Sequence, residues 1–193
     1  MHDKQNHAES NVKIIVIRGN GNTAPNENWF PYIKEELEKV GIPVINKEFP
    51  DPVLAKEKYW VPFIKNLGAD EKTILIGHSS GAVAAMRFAE KNRILGSILV
   101  GACYTDLDDE DEKASGYYSR PWEWEIIKKN QHWIVQFAST DDPYIPVKEA
   151  RHINQKLQTE YYEYVDEGHF GSDKNKTVFP EIVKIVKSKL EIS

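Results

Sequence analysis

Apolar residues in this chain gather in short runs, separated by longer stretches where they recur every three or four positions. The short runs cover residues 12–17, 43–49, 73–76, 97–101, 133–138 and 161–165, and three are nearly continuous. A strand without polar alternate positions is one covered on both faces. The stretches between them, about 28–40, 53–67, 80–92, 122–129, 147–157 and 178–190, read as helices. Gly41 follows the first as a helix-terminating residue would, and Pro52 stands near the start of the second. Strict alternation of strand and helix predicts an α/β fold of about six mostly parallel strands with helices on both faces. We expect one domain over 11–193, preceded by a disordered extension over 1–10. No repeat or linker divides the chain, and residues 104–121 are the one long irregular stretch.

Composition narrows the class. The chain has 193 residues, 40% hydrophobic and 28% charged, enough for one good core. Its net charge is −5 and its lysines and arginines are scattered, so a nucleic-acid partner is not expected. No apolar run approaches the roughly 20 residues that span a bilayer, so no membrane partner is expected either. The first ten residues lack the apolar centre of an export signal. Cys103, the only cysteine, cannot form an internal disulfide and fits a reducing setting, the cytoplasm with the nucleus also compatible. Without an export signal the sequon Asn175-Lys176-Thr177 carries no weight. No histidines are spaced on one face as zinc ligands are, so neither metal nor cofactor is expected.

The chemistry centres on Gly77-His78-Ser79-Ser80-Gly81, with the apolar run 73–76 before it and an Ala-rich helical stretch after it. That is the context of a nucleophile elbow. Gly77 and Gly81 remove the Cβ clashes of a tight strand-to-helix turn, and Ser79 projects at the positive end of a helix dipole. A serine hydroxyl needs a base, and the base an orienting carboxylate. Asp142, in the rigid Asp142-Pro143-Tyr144-Ile145-Pro146 loop after the fifth strand, is our candidate acid, with Asp141 as its competitor. His169 in Gly168-His169-Phe170 follows the sixth strand. The order Ser, Asp, His is that of the α/β-hydrolase triad. His132 and His152 read as structural, and His78 as a packing or hydrogen-bonding residue.

An oxyanion hole needs two backbone N–H donors. One is expected from Ser80 and the other from the glycine loop after the first strand, where Asn20 is the first choice and Gly21 the second. The spacing Gly19-x-Gly21-x-x-Ala24 also matches a dinucleotide fingerprint. Pro25, Asn26 and Asn28 delay the next helix beyond the glycine loop, and Glu48 lies too far along to take the ribose, so the hydrolase reading is preferred.

Taken together, these residues resemble small single-domain α/β-hydrolases of the retinoblastoma-binding protein 9 type. The likeness covers nearly all of the chain after residue 10. It rests on Gly19-Asn20-Gly21-Asn22, on Asp70-Glu71-Lys72-Thr73 leading into the elbow, on Ala114-Ser115-Gly116-Tyr117 with Arg120-Pro121-Trp122, and on the Asp142 and His169 segments. It implies a compact fold without a large cap, a Ser79–Asp142–His169 triad, and activity on small amino-acid esters or amides, including aminopeptidase action. The family's namesake partner is attributed to Leu-x-Cys-x-Glu. Here the matching stretch is Leu67-Gly68-Ala69-Asp70-Glu71, with Ala69 in the cysteine's place, so retinoblastoma-pocket binding is not expected.

Two features stay open on the residues alone. The acidic run 106–112 is no EF-hand, because Asp111 stands where glycine and Tyr117 where glutamate belong. It reads as a solvated loop, or as a site rim that attracts cationic substrates such as a free α-amino group. Tyr117, Tyr118, Trp122 and Trp124 either wall an acyl pocket or pack a helix on the sheet. Two functions follow: a serine hydrolase of small esters or amides, and a binding adaptor that keeps the fold but makes little use of the triad.

Overall fold

The computed structural model describes residues 12–192, so the extension expected over 1–10 lies outside the described residues. The chain alternates as β1 (Lys13–Ile17), α1 (Phe30–Glu38), β2 (Val44–Ile45), α2 (Glu57–Asn66), β3 (Thr73–His78), α3 (Ser80–Ala89), β4 (Gly96–Val100), α4 (Glu110–Ser115), α5 (Trp124–Lys129), β5 (Trp133–Ser139), α6 (Val147–Leu157), β6 (Glu160–Tyr164) and α7 (Pro180–Lys189). The sheet order is β2-β1-β3-β4-β5-β6, and every neighbouring pair is parallel.

The pleat divides the strand residues between two cores. Ile15, Ile17, Leu75 and Leu99 face α2, α3 and α6, where Trp60, Ile64, Val83, Phe88 and Ile153 meet them. Ile14, Val16, Ile74, Ile76, Ile98 and Val100 face α1 and α7, against Phe30, Ile33, Ile182 and Val186. Both faces are therefore apolar, which accounts for the unbroken hydrophobic runs.

Most helices are shorter than expected by a few residues, and three departures have a visible local cause. β2 is two residues long rather than spanning 43–49, because the Lys47 carbonyl is taken by the Arg18 guanidinium at 3.0 Å instead of a strand ladder. α1 starts at Phe30 rather than 28, since Asn28 sits at φ +51, outside the helical region. α2 starts at Glu57 rather than 53: Asp51 and Ala55 both have positive φ, and Asp51 binds the N–H groups of Ala55 and Lys56. Pro52 thus lies in a turn ahead of that helix. Gly41 does terminate α1, at φ +83, with the Ile42 N–H on the Leu37 carbonyl.

One helix was hidden in the acidic run. α4 is capped by Asp109, whose side chain accepts from the N–H groups of Asp111 and Glu112, and is ended by Gly116 at φ +89. An acidic first turn suits the positive helix end. Negative charge masked the element, although its cap residue and closing glycine were both legible signals.

Candidate active site

The site lies beyond the carboxyl ends of β1 and β3. The strand order reverses there, which is the usual ligand crevice of an open parallel sheet. At the elbow the strain falls on the serine rather than on its glycines. Ser79 has φ +54 and ψ −124, and its N–H is held by the Val100 carbonyl at 2.8 Å. The glycines serve close approach instead. A Cβ on Gly77 would stand 2.5 Å from the Gly81 carbonyl oxygen, and one on Gly81 would stand 2.1 Å from that of Ile17. α3 can thereby start directly at Ser80, wedged against β1.

Asp142 and His169 meet across two loops, with Asp142 Oδ2 2.7 Å from His169 Nδ1. The other carboxylate oxygen of Asp142 accepts the N–H groups of Tyr144 and Ile145, each at 2.9 Å. Three donors thus fix the carboxylate, and its side chain is only 3% exposed. Asp141, its competitor, points elsewhere. It accepts from Lys174 Nζ at 2.7 Å, Ser139 Oγ at 2.6 Å and the Gly168 N–H at 2.8 Å. The bonds from Lys174 and then Ser139 hold its carboxyl down to about 2.

The loop bearing His169 is tied down on all sides. Asp173 accepts the His169 N–H at 2.8 Å, and Trp29 Nε1–H donates to the Phe170 carbonyl at 2.8 Å. Gly101, at the carboxyl end of the fourth strand, backs the imidazole. It has φ +58, and a Cβ there would stand 3.0 Å from His169 Cε1. A glycine at the end of a central strand was the available signal.

Ser79 and His169 open on one cleft of about 650 Å³, bordered also by Asn20, Leu107, Tyr144 and Ile145. The N–H groups of Asn20 and Ser80 have no acceptor among the described residues. Those of Gly21 and Asn22 are taken by the Val53 and Pro52 carbonyls, each at 3.1 Å. Of the two expected donors on this loop, Asn20 keeps its N–H free among the described residues, whereas that of Gly21 is already engaged.

The acidic run divides. Asp109, Asp111 and Glu112 border the cleft, while Asp108 and Glu110 pair with Lys113 outside it. Glu112 accepts from Asn20 Nδ2 at 2.9 Å and from the Tyr118 hydroxyl at 3.2 Å, and burial raises its pKa. Tyr117 and Trp122, read as either pocket wall or packing, are packing. Tyr117 is fully buried, and Trp122 stacks on the Arg87 guanidinium at 3.6 Å. Cys103 is buried too, its Sγ 3.0 Å from the Tyr118 hydroxyl, and burial pushes its thiol up to about 12.

The serine hydrolase family matches residues 14–188. The chain belongs to that family. Rat serine hydrolase RBBP9 is 45% identical over 184 residues, which span 94% of this hydrolase and 97% of the rat protein. The putative hydrolase YdeN of Bacillus subtilis (strain 168) is 26% identical over 185 residues, covering 91% of this chain and 95% of YdeN. The crystal structure of the ydeN gene product superimposes with a TM-score of 0.85 at 22% identity, over 93% of this chain and 99% of that one, and so shares the fold. No helix among the described residues of the hydrolase is long and apolar enough to cross a membrane.

Proposed function

We propose that this hydrolase cleaves small esters or amides, amino-acid esters and N-terminal aminoacyl bonds among them, through Ser79, His169 and Asp142. The observation that carries the reading is the His169–Asp142 pair at 2.7 Å, opening on the same cleft as a serine in strained elbow geometry.

With Nδ1 of His169 bonded to Asp142, Nε2 is the nitrogen that takes the proton of Ser79 as its Oγ attacks the substrate carbonyl carbon. The carbonyl electrons move onto oxygen, which the N–H groups of Asn20 and Ser80 receive. Collapse breaks the bond to the leaving alcohol or amine, which departs with the proton from His169. Water then attacks the acyl-serine, His169 takes its proton, and hydrolysis returns that proton to Ser79.

The cleft lining supports the amino-acid substrates. Leu107, Tyr144 and Ile145 offer apolar surface, and Asp109 and Asp111 place negative charge where a free α-amino group would enter. The reading includes a cytoplasmic setting, which the single buried cysteine suits. It does not include retinoblastoma-pocket binding: Ala69 is 3% exposed and packs in the core, so that stretch offers no side chain at its central position. The adaptor alternative leaves the Asp142–His169 geometry and the two free N–H groups without a role.

The test compares an amino-acid p-nitrophenyl ester with its N-acetylated form on wild type, Ser79→Ala and Asp111→Asn. Ser79→Ala is expected to abolish both activities, and Asp111→Asn to lower use of the free-amine ester several-fold more than the acetylated one. Equal effects of Asp111→Asn would remove the amine preference. Full activity in Ser79→Ala would remove the mechanism.

A further inference from the structure

Proton transfer between Ser79 and His169 depends on the separation of two backbone segments far apart in the chain, the elbow after β3 and the loop after β6. One side chain bridges them. His78 immediately precedes Ser79, and its Nε2 lies 2.7 Å from the carbonyl oxygen of His169. A carbonyl can only accept, so Nε2 carries a proton, and in the neutral ring Nδ1 is then bare. That Nδ1 is buried and has no partner among the described residues. Trp29 and Phe30 enclose the ring, with centroids 6.0 and 6.1 Å away. Burial, and next the neighbouring His169, push its pKa down to about 3, so it stays neutral wherever the enzyme is folded and working.

An unpaired buried acceptor is destabilising, so an apolar ring would fill this space with less penalty. What histidine adds is the single bond from Nε2. Other ties on this loop come from Trp29, Ser139, Asp141, Asp142 and Asp173, none of them in the elbow. The His78 bond alone starts from the residue next to the nucleophile and ends on the residue that carries the base.

We propose that His78 is a positioning residue, whose Nε2–H bond to the His169 carbonyl sets the distance between Ser79 and the His169 ring. This rests on Ser79 and His169 acting as nucleophile and base.

Two amides separate the bond from mere packing. The glutamine amide nitrogen superimposes on Nε2, whereas that of asparagine superimposes on Nδ1. With p-nitrophenyl acetate as probe, His78→Gln is expected to keep kcat within about threefold, and His78→Asn to lose about 10–100-fold with KM held within about twofold. Unchanged kcat in His78→Asn, or equal losses in both variants, would overturn the proposal. A second measurement uses the wild type alone. Nitrogen-15 NMR of the histidine rings is expected to show His78 as the Nε2–H tautomer with no titration between about pH 5 and 9. An Nδ1–H tautomer, or titration in that range, would overturn it even if His78→Asn does not fold. Wild type that turns over no ester would count against the hydrolytic reading, and the NMR result would still decide the bond.

Discussion

Two buried polar side chains, His78 and Arg87, each organise an irregular segment of this hydrolase, and they do it in opposite ways. Arg87 on α3 gathers the 117–122 stretch by force of numbers. Its guanidinium donates to the carbonyls of Tyr117, Arg120 and Pro121, pairs with buried Glu90 and stacks on Trp122. Arg120 extends the cluster to Glu57 through two bonds of 2.7 Å. Burial lowers the Arg87 pKa from the usual arginine value, with Glu90 opposing the shift. His78 is neutral and makes one bond. A many-partnered cation stabilises a segment against unfolding. A single directed bond beside the nucleophile contributes little to stability and much to geometry. Scaffold and site are therefore separable by mutation.

The largest effect that sharpens this contrast lies on the site side. Asp142→Asn keeps the volume of the side chain but no longer holds His169 in its working tautomer, and kcat for ester hydrolysis is expected to fall about 10⁴-fold. The midpoint of thermal unfolding should move little, because the Tyr144 and Ile145 N–H groups keep an acceptor. A loss of under tenfold would show that the Asp142–His169 bond does not orient the base.

Arg87→Met is the scaffold counterpart. It breaks the buried Arg87–Glu90 pair, leaving Glu90 only Arg120 and the Glu123 N–H, and frees three carbonyls, so denaturant unfolding should show a loss of about 3–5 kcal/mol. Among the molecules that remain folded, kcat should stay within about twofold. A variant as stable as wild type, or one with kcat lowered in step with stability, would merge the two regions that the contrast separates.

The smallest effect near neutral pH is the pH dependence of stability. The unfolded chain protonates His78 near the usual 6.5, but the folded protein does so only near 3. The unfolded state therefore binds the extra proton between those values, and stability falls as pH drops from 6.5 toward 3. His78→Gln removes that component, so its unfolding midpoint should decline less steeply than that of wild type over this range. Parallel slopes would show that His78 titrates freely. Asp141 acts at the acid end. Its stabilising contribution to the His169 loop is complete above the ordinary carboxylate range and is lost as pH falls toward 2.

The same contrast explains what was readable in the sequence. Gly77, Ser79, Gly81, Asp142 and His169 are legible because elbow geometry, a rigid Pro-flanked loop and chain order are local signals. The inner strands β1, β3, β4 and β5 read well because coverage on both faces leaves unbroken apolar runs. The roles of Arg87 and Gly101 were not legible. Arg87 meets partners 30 to 34 positions away, and Gly101 matters only because His169 arrives behind it from the far end of the chain. The ambiguity over Trp122 has the same source, since a ring that stacks on a buried arginine has the same sequence signature as one lining a pocket. The boundary errors at β2 and α2 come from side chains, Arg18 and Asp51, that captured backbone groups from the regular ladders.

The proposed hydrolysis stands or falls with Ser79 as an activated nucleophile held opposite His169. Its most direct test is fluorophosphonate labelling read by intact mass, on wild type beside Ser79→Ala. One adduct is expected on wild type, mapping to Ser79, and none on the variant. Folded wild type that takes no label, or a Ser79→Ala variant that labels as well as wild type, would contradict it.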